Sequence, residues 1–373
     1  MTYHEIDKYS TTLAQNLRQI GIKRRENIGF CFEKSAWAII SMLGILKAGG
    51  SCVPLDPSHP PSRIRTILEA ASLSTVLVEA RNDLLAQIQD LTLVFVNRSF
   101  FSTTSNQQSP SQTLPFQQGS RPTDPAFILF TSGSTGSPKA VVLTHSAICS
   151  SAKYHGKAMF VGVESRVYQH AAYTFDMSIY DIFTTLILGG TVCIPSSYSR
   201  IHRIAESIQH LRANWAFFTP TLLSTLHPNE VSGLRTVLLA GEPVTQEIID
   251  SWAAKVRLLN GYGSTEMSTC FLAHLTPSSD PRNIGTPKGV ITRIVDPETL
   301  CQIMDTGAGE LVVIGPVLAS GYLNDCNRTN TSFLNFSSKS SEYRIYRTGD
   351  IVERNADGSY HFLGRRDTMT WHV

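Results

Sequence analysis

The sequence predicts an α/β protein: two α/β regions on mostly parallel sheets, followed by a small β-rich unit. Three observations carry that expectation. Short apolar runs alternate with amphipathic helical patterns from residue 5 to about residue 274, the order that a parallel sheet with crossover helices requires. After Asp280 the pattern changes to brief strands separated by Gly, Pro and Asp turns. The chain is 42% hydrophobic and only 17% charged over 373 residues, which excludes a disordered chain.

The elements follow in order. Residues 6–20 read as a helix, IGFCF (28–32) as a strand, residues 36–47 as a helix ended by Gly49 and Gly50, and SCVPL (51–55) as the next strand. TVLVEA (75–80) and TLVFV (92–96) continue the series. Between Ser102 and Asp124 the composition turns to Ser, Thr, Gln and Pro, which suits a solvated surface connection. A second series of strands comprises AFILF (126–130), TVCIP (191–195), WAFFT (215–219), TVLLA (236–240) and RLLNG (257–261). ITRIVDPET (291–299), GELVVIG (309–315) and IVERNADGSYHFLG (351–364) form the β-rich tail. The expected division is 1–125, 126–279 and 280–365, with a hinge beginning at 366–373.

Lys plus Arg number 32 and Asp plus Glu 30, a net charge of +2, so the chain lacks the basic excess of a nucleic-acid binder. The longest apolar run, residues 36–46, is too short to span a bilayer, and the N-terminus lacks the pattern of a signal peptide. Seven scattered cysteines form no CxxC and no zinc-ligand spacing. A reduced cytoplasmic setting is expected, with the four Asn-x-Ser/Thr triplets at Asn97, Asn327, Asn330 and Asn335 read as chance products of a Ser/Thr-rich chain. HExxH and GxSxG are both absent, which removes the metallohydrolase and serine-hydrolase readings.

The strand AFILF runs into TSGSTGSPKAVVLTH. Two glycines allow a backbone that turns N–H groups inward, the hydroxyls add donors, and Lys139 supplies compact positive charge, so this loop can wrap phosphate. It is not a Walker A loop, because only two residues separate Gly133 from Gly136 and the lysine comes three later. A connection with no ligand has no need of so many donors directly after a buried strand.

TSGSTGSPKAVVLTH resembles the signature loop of the adenylate-forming superfamily, which includes acyl-CoA synthetases, luciferases and the adenylation domains of nonribosomal peptide synthetases. LKAGGSCVPLDPSHPPSRI (46–64), FDMSIYDIF (175–183), LNGYGSTEMS (259–268), GELVVIGPVLASGYLND (309–325), YRTGDIV (346–352) and LGRRD (363–367) match further motifs of that superfamily, in its order. TYHEI, the PLDP run and the aspartate of FDMS are most similar to the amino-acid-activating adenylation domains. The resemblance implies two stacked α/β subdomains plus a β-barrel-like subdomain. It also implies a ligase: carboxylate plus ATP gives acyl-adenylate and pyrophosphate, and the acyl group passes to the phosphopantetheine thiol of a carrier protein.

Attack of a carboxylate on the α-phosphate brings two anions together, so such a site must neutralise charge and align oxygens and needs no protein nucleophile. By resemblance, Thr131, Ser132, Gly133, Ser134, Thr135, Gly136 and Lys139 hold the β- and γ-phosphates, Thr265 contacts the α-phosphate, and Glu266 binds Mg²⁺. Asp350 takes the ribose hydroxyls with support from Arg365. Gly241, Glu242 and Pro243 run along the adenine edge, Asn260 bonds its amine, Tyr262 offers an aromatic face, and Gly261, Gly263 and Ser264 complete this part. Asp176 matches the carboxylate that pairs with a substrate α-ammonium. Met177, Tyr180, Phe217, Leu238, Ala240, Gly261, Thr269 and Cys270 are expected around the substrate side chain. None of these carries a formal charge, so a neutral, mainly apolar α-amino acid is expected, branched aliphatic and aromatic side chains both remaining open.

Asp367 matches the family's hinge aspartate. Beyond the hinge the family has a smaller domain of roughly a hundred residues, with a lysine that bridges carboxylate and ATP. Only six residues follow Asp367 here, and the last lysine, Lys339, lies in no motif. The expectation is therefore a fragment of a larger synthetase, partnered by carrier and condensation domains, that binds ATP and amino acid but adenylates slowly or not at all. An acyl-CoA or aryl-acid ligase, or a non-catalytic nucleotide-binding module, is the alternative.

Overall fold

The computed structural model describes residues 1–104, 120–131, 138–303, 307–337 and 342–368. The chain divides into two compact units, one comprising Met1–His145, Ala172–Phe175 and Ile194–Ser197, the other Ser146–Ala171, Asp176–Cys193 and Tyr198–Val373.

The first unit opens with α1 (Tyr3–Gln19), whose start is fixed by a reciprocal cap: Thr2 Oγ1 accepts from Glu5 N–H, and the Glu5 carboxylate accepts from Thr2 N–H. Its strands are β1 (Asn27–Cys31), β2 (Ser51–Leu55), β3 (Thr75–Val78), β4 (Thr92–Phe95), β5 (Pro125–Thr131) and β6 (Lys139–Thr144). They lie in the order β6-β5-β2-β1-β3-β4, parallel except for the antiparallel β5–β6 pair. Between β1 and β2 runs α2 (Ala36–Ala48), terminated at Gly49 in the left-handed region, φ +97°. A bidentate pair from Arg24 Nε and Nη2 to Asp124, both 2.7 Å, ties the entry of β1 to the entry of β5; that hydrogen bonding holds the Asp124 carboxyl down at about 2.

One boundary differs from the expectation. The sequence reading begins a new region at residue 126, yet β5 pairs with β2 (Cys52 with Phe127) and β6 pairs with β5. Both strands that flank the glycine-rich loop therefore belong to the first sheet, a long-range pairing invisible to local periodicity. The polar stretch after Ser102 likewise begins inside a helix (Arg98–Thr104), and residues 105–119 lie outside the described ones.

The second unit contains β7 (Arg166–Tyr168), β8 (Thr191–Cys193), β9 (Trp215–Phe218), β10 (Thr236–Leu239), β11 (Arg257–Ser264), β12 (Ser268–Leu275), β13 (Asn283–Pro287), β14 (Ile291–Val295), β15 (Gly309–Ile314), the two-residue β16 (Gly321–Tyr322), β17 (Phe333–Ser337), β18 (Glu342–Arg354) and β19 (Tyr360–Arg365). Among the described residues the order is β14-β15-β18-β19-β13-β12-β11-β10-β9-β7-β8, with β17 on β18. β8, β7, β9, β10 and β11 run parallel, and the tail expected to be β-rich continues this sheet in antiparallel fashion.

Strand alternation decides what faces the site. Ala216, Phe218, Val237, Leu239 and Leu258 pack on one face with Trp252 and Ile249. Phe217, Leu238, Ala240 and Leu259 go to the opposite face and pack with Met177 and Tyr180. The α/β fold expected from the sequence is the one the chain adopts.

Candidate active site

Asp176 opens a short helix (Asp176–Ile179) that continues as a π-helical turn over Tyr180–Thr184, a local widening common where side chains serve a function. Its carboxylate is buried. Oδ1 accepts from Met177 N–H at 2.8 Å and Oδ2 accepts from the Thr265 hydroxyl at 3.0 Å. Burial raises the carboxyl to about 6, opposed by the bond from Thr265 and helped by the negative charge of Glu266.

Thr265 and Glu266 sit in the turn between β11 and β12, whose register shifts so that Ser264 faces Ser268. Glu266 is buried, and its Oε1 accepts from Tyr322 O–H at 2.8 Å. Ser268 takes the left-handed conformation, φ +61°. A polar cluster holds it there: Ser268 Oγ lies 2.8 Å from Ser151 Oγ and 3.3 Å from His155 Nδ1, and Ser151 Oγ lies 2.9 Å from that same nitrogen. His155 Nε2 donates to the Lys288 carbonyl at 3.0 Å, so the neutral ring is protonated there and Nδ1 accepts. Burial depresses the His155 imidazolium to about 4.

A cavity of about 320 Å³ is lined by Gly241, Glu242, Pro243, Val244, Asn260, Gly261, Tyr262, Gly263, Pro281, Arg282, Ile284, Asp350 and Phe362. Eight of the residues assigned by motif to adenine and ribose meet there, and Val244, Pro281, Arg282, Ile284 and Phe362 join them without any motif to announce them. Asp350 and Arg365 are paired across β18 and β19. Arg365 Nη1 donates to Asp350 Oδ1 at 2.8 Å and to the Thr348 carbonyl at 2.8 Å, while the Tyr262 hydroxyl donates to Asp350 Oδ2. Burial lifts the Asp350 carboxyl above its ordinary value even though Tyr262 and Arg365 pull it down. Asn260 Nδ2 donates to the Asn283 carbonyl at 3.0 Å, and Glu242 accepts from Thr221 N–H at 2.8 Å. At Gly263 a Cβ would stand 1.9 Å from the Ser268 carbonyl oxygen, so only glycine fits.

Gly261 lines this cavity, and on its other side a Cβ would meet Thr269 Cγ2 and Leu238 Cδ1. It divides the cavity from the apolar cluster of Met177, Tyr180, Phe217, Leu238 and Ala240. Thr269 Oγ1 is 3.3 Å from Met177 Sδ, and Cys270 is wholly buried.

Of the glycine-rich loop, Thr131 ends β5 and Lys139 begins β6, paired in register; Ser132, Gly133, Ser134, Thr135 and Gly136 lie outside the described residues. Asp367 is exposed and accepts from Arg365 Nε at 3.3 Å. The donor set around Glu266 is one buried carboxylate beside a hydroxyl residue, and the described residues contain no group of three or more metal-ligating side chains. That set fits a hard divalent cation that completes its shell with phosphate oxygens and water. No helix among the described residues is long and apolar enough to cross a membrane.

The model of the AMP-binding enzyme family matches residues 1–323. The nonribosomal peptide synthetase atnA of Emericella nidulans is 40% identical over 377 residues, covering 99% of this chain and 5% of that protein. N-benzoylphenylalaninol synthetase apmA of Penicillium brevicompactum is 38% identical over 373 residues, covering 98% of this chain and 16% of that protein. The chain thus spans a small part of the length of these relatives. Among solved structures, the N-terminal subdomain of Klebsiella oxytoca NpsA in complex with 3-hydroxyanthranilyl-AMSN superposes with a TM-score of 0.84 at 23% identity, covering 98% of this chain and 93% of that one. The nonribosomal peptide synthetase FmoA3, solved in its α-methyl-L-serine-AMP bound form, gives a TM-score of 0.84 at 26% identity, covering 99% of this chain and 42% of that one. Several of the relatives it matches bear the name nonribosomal peptide synthetase, and the chain itself is a member of the AMP-binding enzyme family.

Proposed function

We propose that this chain is the ATP- and amino-acid-binding part of an adenylation enzyme that converts a neutral α-amino acid and ATP to aminoacyl-adenylate and pyrophosphate. The observation that carries the reading is the buried Asp176 carboxylate, held by the hydroxyl of Thr265 in the same turn as Glu266. A buried carboxylate raised to about 6 is costly alone and is relieved by a cationic partner. An α-ammonium is such a partner.

The roles follow from this geometry. Asp350, pre-aligned by Tyr262 and Arg365, accepts the two ribose hydroxyls. Asn260, whose amide N–H is occupied by Asn283, presents its carbonyl oxygen to the exocyclic amine of adenine. Thr265 has a single hydroxyl proton. When the substrate ammonium takes over Asp176 Oδ2, the Thr265 hydroxyl is free to donate its hydrogen bond to an α-phosphate oxygen instead, so amino-acid binding readies the electrostatic partner for the attack. Glu266 would hold Mg²⁺, which supplies charge neutralisation between the phosphates. Thr131 and Lys139 are assigned to the outer phosphates by the motif alone. The adenylate would then pass to the phosphopantetheine of a carrier domain.

Thermal shift with ATP-Mg²⁺ and a panel of α-amino acids tests this. Asp176→Ala should abolish the shift from amino acid and keep that from ATP. An amino-acid shift that survives in this variant, or an equal shift from the matching desamino acid, defeats the proposal.

A further inference from the structure

The side chains that pack beside Asp176 bear on substrate size, an inference that rests on the reading of Asp176 as the ammonium partner. Four side chains on its wall are covered almost completely by one another: Leu238 is 0% exposed, Met177 and Phe217 are 2% exposed, and the most open, Ala240, is 7% exposed. The large groups are also fixed in place. Tyr180 is 6% exposed and packs in the same cluster. Behind them Trp215 Nε1 donates to the Met159 carbonyl at 2.8 Å. Thr269 Oγ1 meets Met177 Sδ at 3.3 Å, which joins β12 to the helical turn that carries Asp176. At Gly261 a single added carbon would stand 2.6 Å from Thr269 Cγ2 and 3.1 Å from Leu238 Cδ1.

Close-packed interiors absorb one extra methylene only by straining their neighbours, and here Trp215, Thr269 and Met177 are held by hydrogen bonds. We propose that the site takes α-amino acids whose side chain has no more than about two heavy atoms, the class of glycine, alanine and serine, and that Met177 and Thr269 are the residues that set this limit. The neutral pocket read from the sequence admits branched aliphatic and aromatic side chains by polarity; packing excludes both by volume.

The test measures binding to the whole chain by isothermal titration, with the N-glycyl, N-alanyl, N-valyl, N-leucyl and N-phenylalanyl derivatives of sulfamoyladenosine, non-hydrolysable mimics of the adenylate. The alanyl compound should bind at least about 10-fold tighter than the valyl compound and at least about 100-fold tighter than the leucyl and phenylalanyl compounds. Met177→Ala and, independently, Thr269→Ala should each narrow the alanyl-to-leucyl ratio by about 10-fold or more. A wild-type chain that binds leucyl or phenylalanyl as tightly as alanyl overturns the size limit, whatever the variants do. Asp176→Ala separates the two readings. If it weakens whichever compound binds, the ammonium reading stands although the size limit has failed. If it weakens none, or if no compound binds, the reading beneath falls and the size limit with it.

Discussion

The hydroxyl of Thr265 donates to Oδ2 of Asp176 at 3.0 Å across 89 residues of sequence. One hydroxyl proton thus ties the turn after β11 to the helical turn before β8, and several measurable consequences follow from how that carboxylate is held.

Thr265→Val removes the donor and leaves a buried carboxylate oxygen without it, a loss of about 1–3 kcal/mol. Urea denaturation at pH 7 should register this, while Thr265→Ser restores most of it. Equal stability of the two variants contradicts the importance of the bond.

In the role proposed for Asp176, amino-acid binding needs its carboxylate ionised. With its carboxyl raised to about 6 by burial, affinity should be level above pH 7 and drop about tenfold per pH unit below about 6. Glu266 raises this value and Thr265 lowers it, so Thr265→Val should move the midpoint upward. A profile flat down to pH 4.5 would show that Asp176 does not meet the ammonium.

Two buried groups drive stability in opposite directions over the same pH window. Asp176 has a folded-state pKa raised from 3.8 to about 6, so its contribution is full below 3.8 and is lost as pH rises through about 6. His155 is lowered from 6.5 to about 4, so its contribution is full above 6.5 and is lost as pH falls through about 4. Asp176→Asn should therefore steepen the loss of stability on acidification from pH 6.5 to 4. His155→Asn should reverse it, with stability rising over the same interval. Urea midpoints at half-unit steps distinguish these slopes from no change.

Asp350 is fixed by Tyr262 on one oxygen and Arg365 on the other. Hydrogen bonds that involve a charged partner are worth about 1.5–3 kcal/mol, so Asp350→Ala should weaken ATP by about 10- to 100-fold in isothermal titration. Tyr262→Phe frees Oδ2 and should cost less. Unaltered ATP affinity in Asp350→Ala assigns the cavity to another ligand.

Gly263→Ala places a Cβ 1.9 Å from the Ser268 carbonyl oxygen. Backbone must move, and the turn that carries Thr265 and Glu266 moves with it. A loss of about 1–3 kcal/mol is expected, together with weaker ATP binding; wild-type values for both would mean that the turn is freely adjustable.

The sequence by itself determined the local elements and the chemistry of the residue types. Apolar runs at 51–55, 75–78 and 236–239 are strands because continuous burial leaves a short apolar run few other arrangements. Gly49 stops α2 because its left-handed backbone suits glycine. The motifs named Asp176, Thr265, Glu266 and Asp350 from their setting in the chain, and alternation along β9 and β10 already implied that Phe217, Leu238 and Ala240 share a face.

Tertiary structure alone decided which distant groups meet. The pairing of β5 with β2 moved the boundary expected at residue 126, since sheet partners are selected by closing long loops rather than by local pattern. Val244, Pro281, Arg282, Ile284 and Phe362 enter the cavity from turns and strands with no motif. Tyr322 reaches Glu266 across 56 residues, and His155 and Ser151 reach Ser268 across more than a hundred. Polarity could be read from side-chain identity, but the room left for a substrate could not. Volume is what remains after neighbours have packed, and the packing of Met177 against Thr269 exists only once the sheet has formed.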